Sequence, residues 1–171
     1  TYKPSVVLSR ISAAKNKMVM PEQYNDATGA SLDFMRRIPK VKEIYAAYQQ
    51  RLKLAQAIDF DDMLCLTNLL FAKHPEVLEK YQNRYQFILV DEYQDTNYAQ
   101  YLILKALAAK HRRICVVGDD SQSIYAFRGA DISNILYFQK EYAESKLFKL
   151  EQNYRSTQVL VQAANSLIAH N

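Results

Sequence analysis

Asp91 and Glu92 stand side by side in the stretch FILVDEYQDTN, residues 87–97, with a third carboxylate at Asp95. An adjacent Asp and Glu can divide labour: one carboxylate holds Mg²⁺ and the other orients or deprotonates a water, the chemistry of nucleotide hydrolysis. The same pair can be a solvated strand end whose acids cap the next helix, and these residues alone leave both readings open. Two further polar clusters follow apolar runs in the same way. GDDSQSIYAFRGAD ends the run ICVVG and brings Gln122; EQNYRS follows KLFKL and brings Arg155. Tyr125, Phe127 and Arg128 lie together beside Gly129. Aromatic rings interleaved with a guanidinium make a stacking platform for unpaired bases, whereas the plainer reading has the two rings anchor their loop to the core.

The elements that must position these clusters are legible from periodicity. Phe87, Ile88, Leu89 and Val90 are four β-formers in a row, the pattern of a strand covered on both faces. FILV, ICVVG and KLFKL alternate with segments of helical periodicity at 98–110, 131–142 and 157–169. That βαβαβα order predicts an α/β fold with a parallel sheet flanked by helices. All three polar clusters then leave the sheet at one carboxyl edge and can meet in a single site. Three coincidences at consecutive strand ends favour a functional site over solvated ends.

Residues 1–84 read as mostly helical. From Val41, the residues Ile44, Tyr45, Tyr48, Leu52 and Ala55 share a helix face, and Met63, Leu66, Leu69 and Leu70 recur at helical spacing. Pro75 starts a further helix carrying Val77, Leu78 and Tyr81. Pro4, Pro21, Gly29 and Pro39 predict short helices and loops before residue 40. The acidic run in IDFDDML, residues 58–64, is read as a helix start, its carboxylates favouring the positive end of the dipole and Phe60 packing inward.

Composition narrows the chemistry. A chain of 171 residues with 49% apolar and 23% charged residues is that of a globular protein, and its net charge of +4 permits a polyanionic partner without demanding one. Cys65 and Cys115 have neither metal-site nor redox spacing and read as buried thiols of a reducing compartment. With no export signal and no membrane-length apolar run, a cytoplasmic location is expected. His74, His111 and His170 share no motif and read as surface or helix-end residues. None of the three glycines, Gly29, Gly118 and Gly129, precedes a lysine, so the Gly-rich phosphate loop ending in Lys-Ser/Thr is absent from these residues.

ILVDEYQDTN, VVGDDSQSIYAFRGAD and LEQNYRS closely resemble consecutive motifs of the UvrD/Rep type of superfamily 1 DNA helicases, and IDFDDML resembles another element of that family. The resemblance runs continuously from about residue 58 to 171, in order and spacing. It implies a partial RecA-like P-loop NTPase sheet over 85–171, with 1–84 as the helical insertion of the first motor domain. It further implies Asp91 as the carboxylate that binds nucleotide-bound Mg²⁺ and Glu92 as the base for the attacking water. Gln122 would sense the terminal phosphate of ATP, and Arg155 would stabilise charge on the transferring phosphoryl group. Tyr125 and Phe127 match aromatics that stack on single-stranded DNA, and Arg128 a neighbouring DNA or coupling contact. Ser121 stands where many relatives carry Asp and Phe127 where several carry Trp, and neither change removes a chemical role. The implied partners are single-stranded DNA, single-strand/duplex junctions and the remaining helicase domains of a longer chain, with no membrane.

Family members carry the phosphate loop upstream of this region and a second motor domain downstream, so the segment is expected to be inactive by itself. Two rival readings remain at this point. One is a non-enzymatic module that binds single-stranded nucleic acid; the other is a two-metal phosphohydrolase built from Asp59, Asp61, Asp62, Asp91, Glu92 and Asp95.

Overall fold

The computed structural model describes residues 2–122, 130–131 and 133–168. The chain opens with α1 (Pro4–Asn16), continues through 3₁₀ turns at Pro21–Gln23 and Asp26–Thr28, and then forms α2 (Ala30–Met35) and α3 (Val41–Leu54). Where prolines predict only short pieces before residue 40, α1 is a 13-residue helix. Pro4 sits in its first turn, where a missing N–H costs nothing, so the residue starts the helix rather than breaking one. Val7, Ile11 and Ala14 of α1 form one buried cluster with Tyr24, Ile38, and Val41 and Tyr45 of α3. Arg10 joins this packing by pairing with Asp33 at 2.6 Å and donating to the Gly29 carbonyl at 3.1 Å. The Tyr24 hydroxyl also donates to Asp33, and burial together with that carboxylate pushes the phenol up to about 12.

α4 (Phe60–Lys73) and α5 (Pro75–Arg84) follow, both beginning where the sequence places them. Asp59 caps α4: its Oδ1 accepts from the Asp62 N–H at 2.7 Å while Asp62 Oδ2 accepts from the Asp59 N–H at 3.3 Å. The inward face of α4 differs from the one its apolar spacing suggests. Asp62, Cys65 and Phe71 are buried, whereas Met63, Leu66 and Leu70 face solvent and Phe60 is 86% exposed. The cause is Lys15 at the end of α1. Its Nζ is fully buried and reaches Asp59 Oδ2 at 2.6 Å and Asp62 Oδ1 at 2.8 Å, turning the acidic face inward and Phe60, two residues before Asp62, to the opposite side.

β1 (Ile88–Val90) and β2 (Ile114–Val116) pair in parallel in the register Ile88↔Ile114, Leu89↔Cys115 and Val90↔Val116, connected through α6 (Tyr98–Ala108). α4 and α5 both pack on α6, and α1 packs on α4. The chain thus has helices over a small parallel sheet, the mixed α/β class expected. Among the described residues, helices cover one sheet face only. Leu89 is 80% exposed and its register partner Cys115 is exposed beside it. The doubly covered strand and the buried Cys115 expected from apolarity are therefore not found, while Cys65 is buried and its thiol is raised to about 11 mainly by burial.

Past β2, the 131–142 segment forms two short helices, α7 (Ser133–Leu136) and α8 (Phe138–Glu141), and the last predicted helix forms as α9 (Gln158–Ile168). KLFKL, residues 146–150, forms no strand, and Phe148 is 79% exposed. A strand needs a neighbour to take its backbone hydrogen bonds, and among the described residues none lies beside this run.

Candidate active site

β1 delivers Asp91 and Glu92 to the carboxyl end of the sheet, and β2 delivers Gly118 and Asp119 to the same edge. The ladder continues past both strands. Val117 donates its N–H to the Val90 carbonyl at 2.8 Å, and Tyr93 donates to the Val117 carbonyl at 3.0 Å, so the two loops are pinned together at their roots. Between these bonds the backbone of Glu92 turns through the left-handed region at φ +50°. This conformation is uncommon for a residue with a Cβ and persists where the surroundings fix it. It folds the chain from β1 into the 3₁₀ turn Tyr93–Asp95.

Inside that turn, Tyr93 points inward, buried with its ring edge-on to Phe138 at 5.7 Å. Gln94 is only 1% exposed. Its Nε2 donates to Glu92 Oε2 at 2.7 Å and its Oε1 accepts from the Asp119 N–H at 3.1 Å. Asp119 in turn accepts from the Ser121 N–H at 3.0 Å and from Gln122 Nε2 at 2.8 Å. A continuous hydrogen-bonded path thus runs from Glu92 through Gln94 and Asp119 to Gln122. Asp91 and Gln122 are exposed at its two ends.

Gly118 is where this path needs space. A Cβ there would stand 2.6 Å from Gln94 Oε1 and 2.8 Å from Ile135 Cδ1. Gly118→Ala is therefore expected to lower stability by about 1–3 kcal/mol through overpacking, read as a drop in melting temperature; an unchanged melting temperature would mean that the Gln94 side chain has room to move aside.

Tyr125, Phe127 and Arg128 lie outside the described residues. The residues that flank their segment are both tied to the acidic loop: Gln122 through Asp119, and Ala130 by a backbone bridge to Asn97. Asp131 and Asn134 also donate to the Thr96 carbonyl at 3.0 Å. Arg155 is exposed in a turn where Asn153 Oδ1 accepts from the Arg155 and Ser156 N–H groups at 2.9 Å, and its side chain makes no hydrogen bond or ion pair to Asp91 or Glu92. Residues 146–150 do not join the described sheet, so the strand expected to lead into Arg155 is not formed.

Of the acidic residues, Asp59 and Asp62 are committed to Lys15, and among the described residues no group of three or more His, Cys, Asp or Glu is arranged to hold a metal ion. A two-metal centre spanning the DFDD run and the strand end thereby loses its ligands. Asp91 fits a different metal role. It is one exposed carboxylate at a strand end, and Mg²⁺ is ordinarily held by one or two carboxylates together with waters and substrate phosphates. The histidines bear out their plain reading where they are described: His74 lies between α4 and α5 beside Glu76, and His111 contacts the Gln82 carbonyl.

Sequence reasoning passed over Gln94, Asp119, Lys15 and Asn16. Asn97 caps α6 by accepting from the Gln100 N–H at 2.9 Å, and it donates to Asn16 Oδ1 at 2.8 Å in the interior, fastening α1 to the loop that carries the acids. One signal was available: Gly118, a glycine directly after an apolar strand, marks a close approach by some other group.

The family model described as the UvrD/REP helicase N-terminal domain matches residues 2–143. The chain belongs to this family. Over 170 residues, 99% of its length, it is 48% identical to a protein of Bacillus subtilis (strain 168) named ATP-dependent DNA helicase PcrA. Proteins of the same name from Staphylococcus epidermidis and Staphylococcus aureus are 49% and 48% identical over the same length. The chain spans 22% of the Bacillus protein and 23% of each staphylococcal one, under a quarter of the curated relatives that it matches.

Proposed function

We propose that this chain is part of the first motor domain of an ATP-dependent DNA helicase that moves 3′ to 5′ along single strands. Residues 1–84 would form the helical insertion and 85–171 part of a RecA-like motor domain. The observation that carries the reading is the linked path from Glu92 to Gln122: the loop bearing the proposed base and the loop bearing the proposed phosphate sensor are joined by side-chain hydrogen bonds. Family membership and the near-complete match to proteins named as helicases support it.

In this reading Asp91 holds Mg²⁺, which screens phosphate charge when the nucleotide is bound, and Glu92 accepts the proton of the attacking water. Gln122 reports the terminal phosphate to the segment that follows, and Arg155 stabilises the transferring group once it is brought to the site. ATP and Mg²⁺ are the cofactors. Single-stranded DNA, its junctions with duplex and the remaining domains of the longer protein are the partners, in the cytoplasm. No described helix is long and apolar enough to cross a membrane. These 171 residues contain no glycine-lysine phosphate loop, so hydrolysis requires the longer protein.

The reading is tested on the full-length protein. DNA-stimulated ATP hydrolysis and separation of a 3′-tailed duplex are expected; single-strand binding without any hydrolysis would instead establish the non-enzymatic binding module.

The stacking role of Phe127 and Tyr125 has its own test. Phe127→Ala is expected to weaken single-strand binding by about 1–3 kcal/mol with little dependence on base identity. The salt dependence should barely change, because no phosphate contact is lost. An anchoring role would instead lower stability by about 3–5 kcal/mol and damage turnover and binding together. Melting temperature measured beside affinity separates the two.

A further inference from the structure

Gln94 belongs to none of the roles assigned above, yet its side chain hydrogen-bonds both the proposed base and the β2 loop. The geometry points to Gln94 as the positioning residue of Glu92, holding its carboxylate in the attacking-water geometry and setting that geometry by the position of the Asp119–Gln122 loop. The inference rests on the reading of Glu92 as the base.

Three observations carry it. First, the amide orientation is fixed by its partners: a carboxylate only accepts and a backbone N–H only donates, so Nε2 must face Glu92 and Oε1 must face Asp119. Glutamine supplies one donor and one acceptor on a rigid plane, which glutamate and leucine cannot. Second, the group is 1% exposed, so water cannot replace either bond without opening the packing. Gly118 lies so close that a Cβ there would collide with Gln94 Oε1. Third, Glu92 sits at φ +50°, a conformation that needs support from its surroundings, and the bond to its Oε2 fixes the carboxylate while leaving Oε1 available to a water. Because Asp119 also accepts from Gln122 Nε2, displacement of Gln122 by a bound phosphate passes along two hydrogen bonds to Gln94 and from there to Glu92.

The test is a double-mutant cycle in the full-length protein, read as single-turnover phosphate release at saturating Mg-ATP with single-stranded DNA. Gln94→Met is expected to slow release by roughly 10- to 100-fold, since a misplaced base is costly, with the KM for ATP changed by less than about 3-fold. Gln94→Glu keeps the shape and the acceptor for the Asp119 N–H but sets a buried carboxylate against Glu92 in place of a donor, and it should be at least as slow, with a lowered melting temperature. In a Glu92→Gln background, Gln94→Met should change the rate by less than about 2-fold, because the group it positions no longer accepts a proton. Equal losses in both backgrounds, or no loss in either, would overturn the inference. If Gln94→Met does not fold, Gln94→Glu carries the cycle; if neither folds, Gln94 is structural and the inference fails. Full turnover by Glu92→Gln alone would remove the assignment of the base, and the inference with it, a result distinct from any failure at Gln94.

Discussion

Glu92→Gln in the full-length protein is expected to cut DNA-stimulated ATP turnover by roughly 10²- to 10⁴-fold while nucleotide affinity stays within a few-fold. The substitution is close to isosteric at a site where shape matters. Glutamate and glutamine bear the same Cβ and so tolerate φ +50° about equally, and the amide oxygen can still accept from Gln94 Nε2. Asp91 is untouched, so the proposed metal ligand remains. What disappears is the ability to take a proton from the attacking water. Equilibrium binding of a fluorescent nucleotide, measured beside phosphate release, separates lost chemistry from lost binding. Retention of most of the turnover would show that the base lies elsewhere, and a parallel collapse of affinity would mean that Glu92 supports binding rather than the chemical step.

The parts of the fold legible in the sequence are those whose signal is local. α3, α5, α6 and α9 show apolar periodicity, α5 also a proline start, and each appears close to where it is expected. Asp59 three residues before Asp62 is a helix-start pattern whether or not anything packs against it, and α4 begins there. The pairing of β1 with β2 was legible too, because an apolar run, a helix and a second apolar run leave little choice of topology.

What failed to be legible depends on residues far away in sequence. KLFKL brings three apolar residues in five, but a strand exists only if a neighbour accepts its hydrogen bonds, and among the described residues none does. Leu89 and Cys115 have core chemistry on a face that no described helix covers. On α4 the apolar count favoured Met63, Leu66 and Leu70, yet a buried ammonium 44 residues before Asp59 decided the orientation. Polar pairs outweigh apolar stripes in such a case because an unpaired buried charge costs more than a few exposed methyl groups gain. In the candidate site, Asp91 and Glu92 could be singled out by residue type and place, whereas Gln94 could not: the bonds that a glutamine bridges appear only in the fold.

Lys15→Met is expected to be the most destabilising single change in the described residues, by about 3–5 kcal/mol. Lys15 Nζ has no solvent exposure and stands 2.6 Å from Asp59 Oδ2 and 2.8 Å from Asp62 Oδ1. Tyr48 donates to Asp59 Oδ2 at 2.9 Å and Gln49 to Asp62 Oδ1 at 3.0 Å, so the cluster joins α1, α3 and α4. Methionine fills the space but leaves two neighbouring carboxylates without their cation. The exposed pair Arg112–Glu144, by contrast, should matter little when broken, because both groups are screened by solvent. The pH dependence gives the decisive check. Burial tends to raise Asp59, but its bonds from Lys15, the Asp62 N–H and Tyr48 outweigh that and hold it below the ordinary carboxylate range. Its contribution is therefore fully present above the unfolded value of about 3.9 and is lost as pH falls through the lower folded value. In Lys15→Met the sign reverses: without the cation, burial and the facing carboxylate raise Asp59 instead, and its protonation relieves the repulsion. The gap in melting temperature between variant and parent should be widest near pH 7 and narrow as pH falls toward 4. Adding Asp59→Asn and Asp62→Asn to Lys15→Met should recover much of the loss at neutral pH. A gap that stays constant with pH and persists in the triple variant would assign the effect to packing of the lysine stem instead of to its charge.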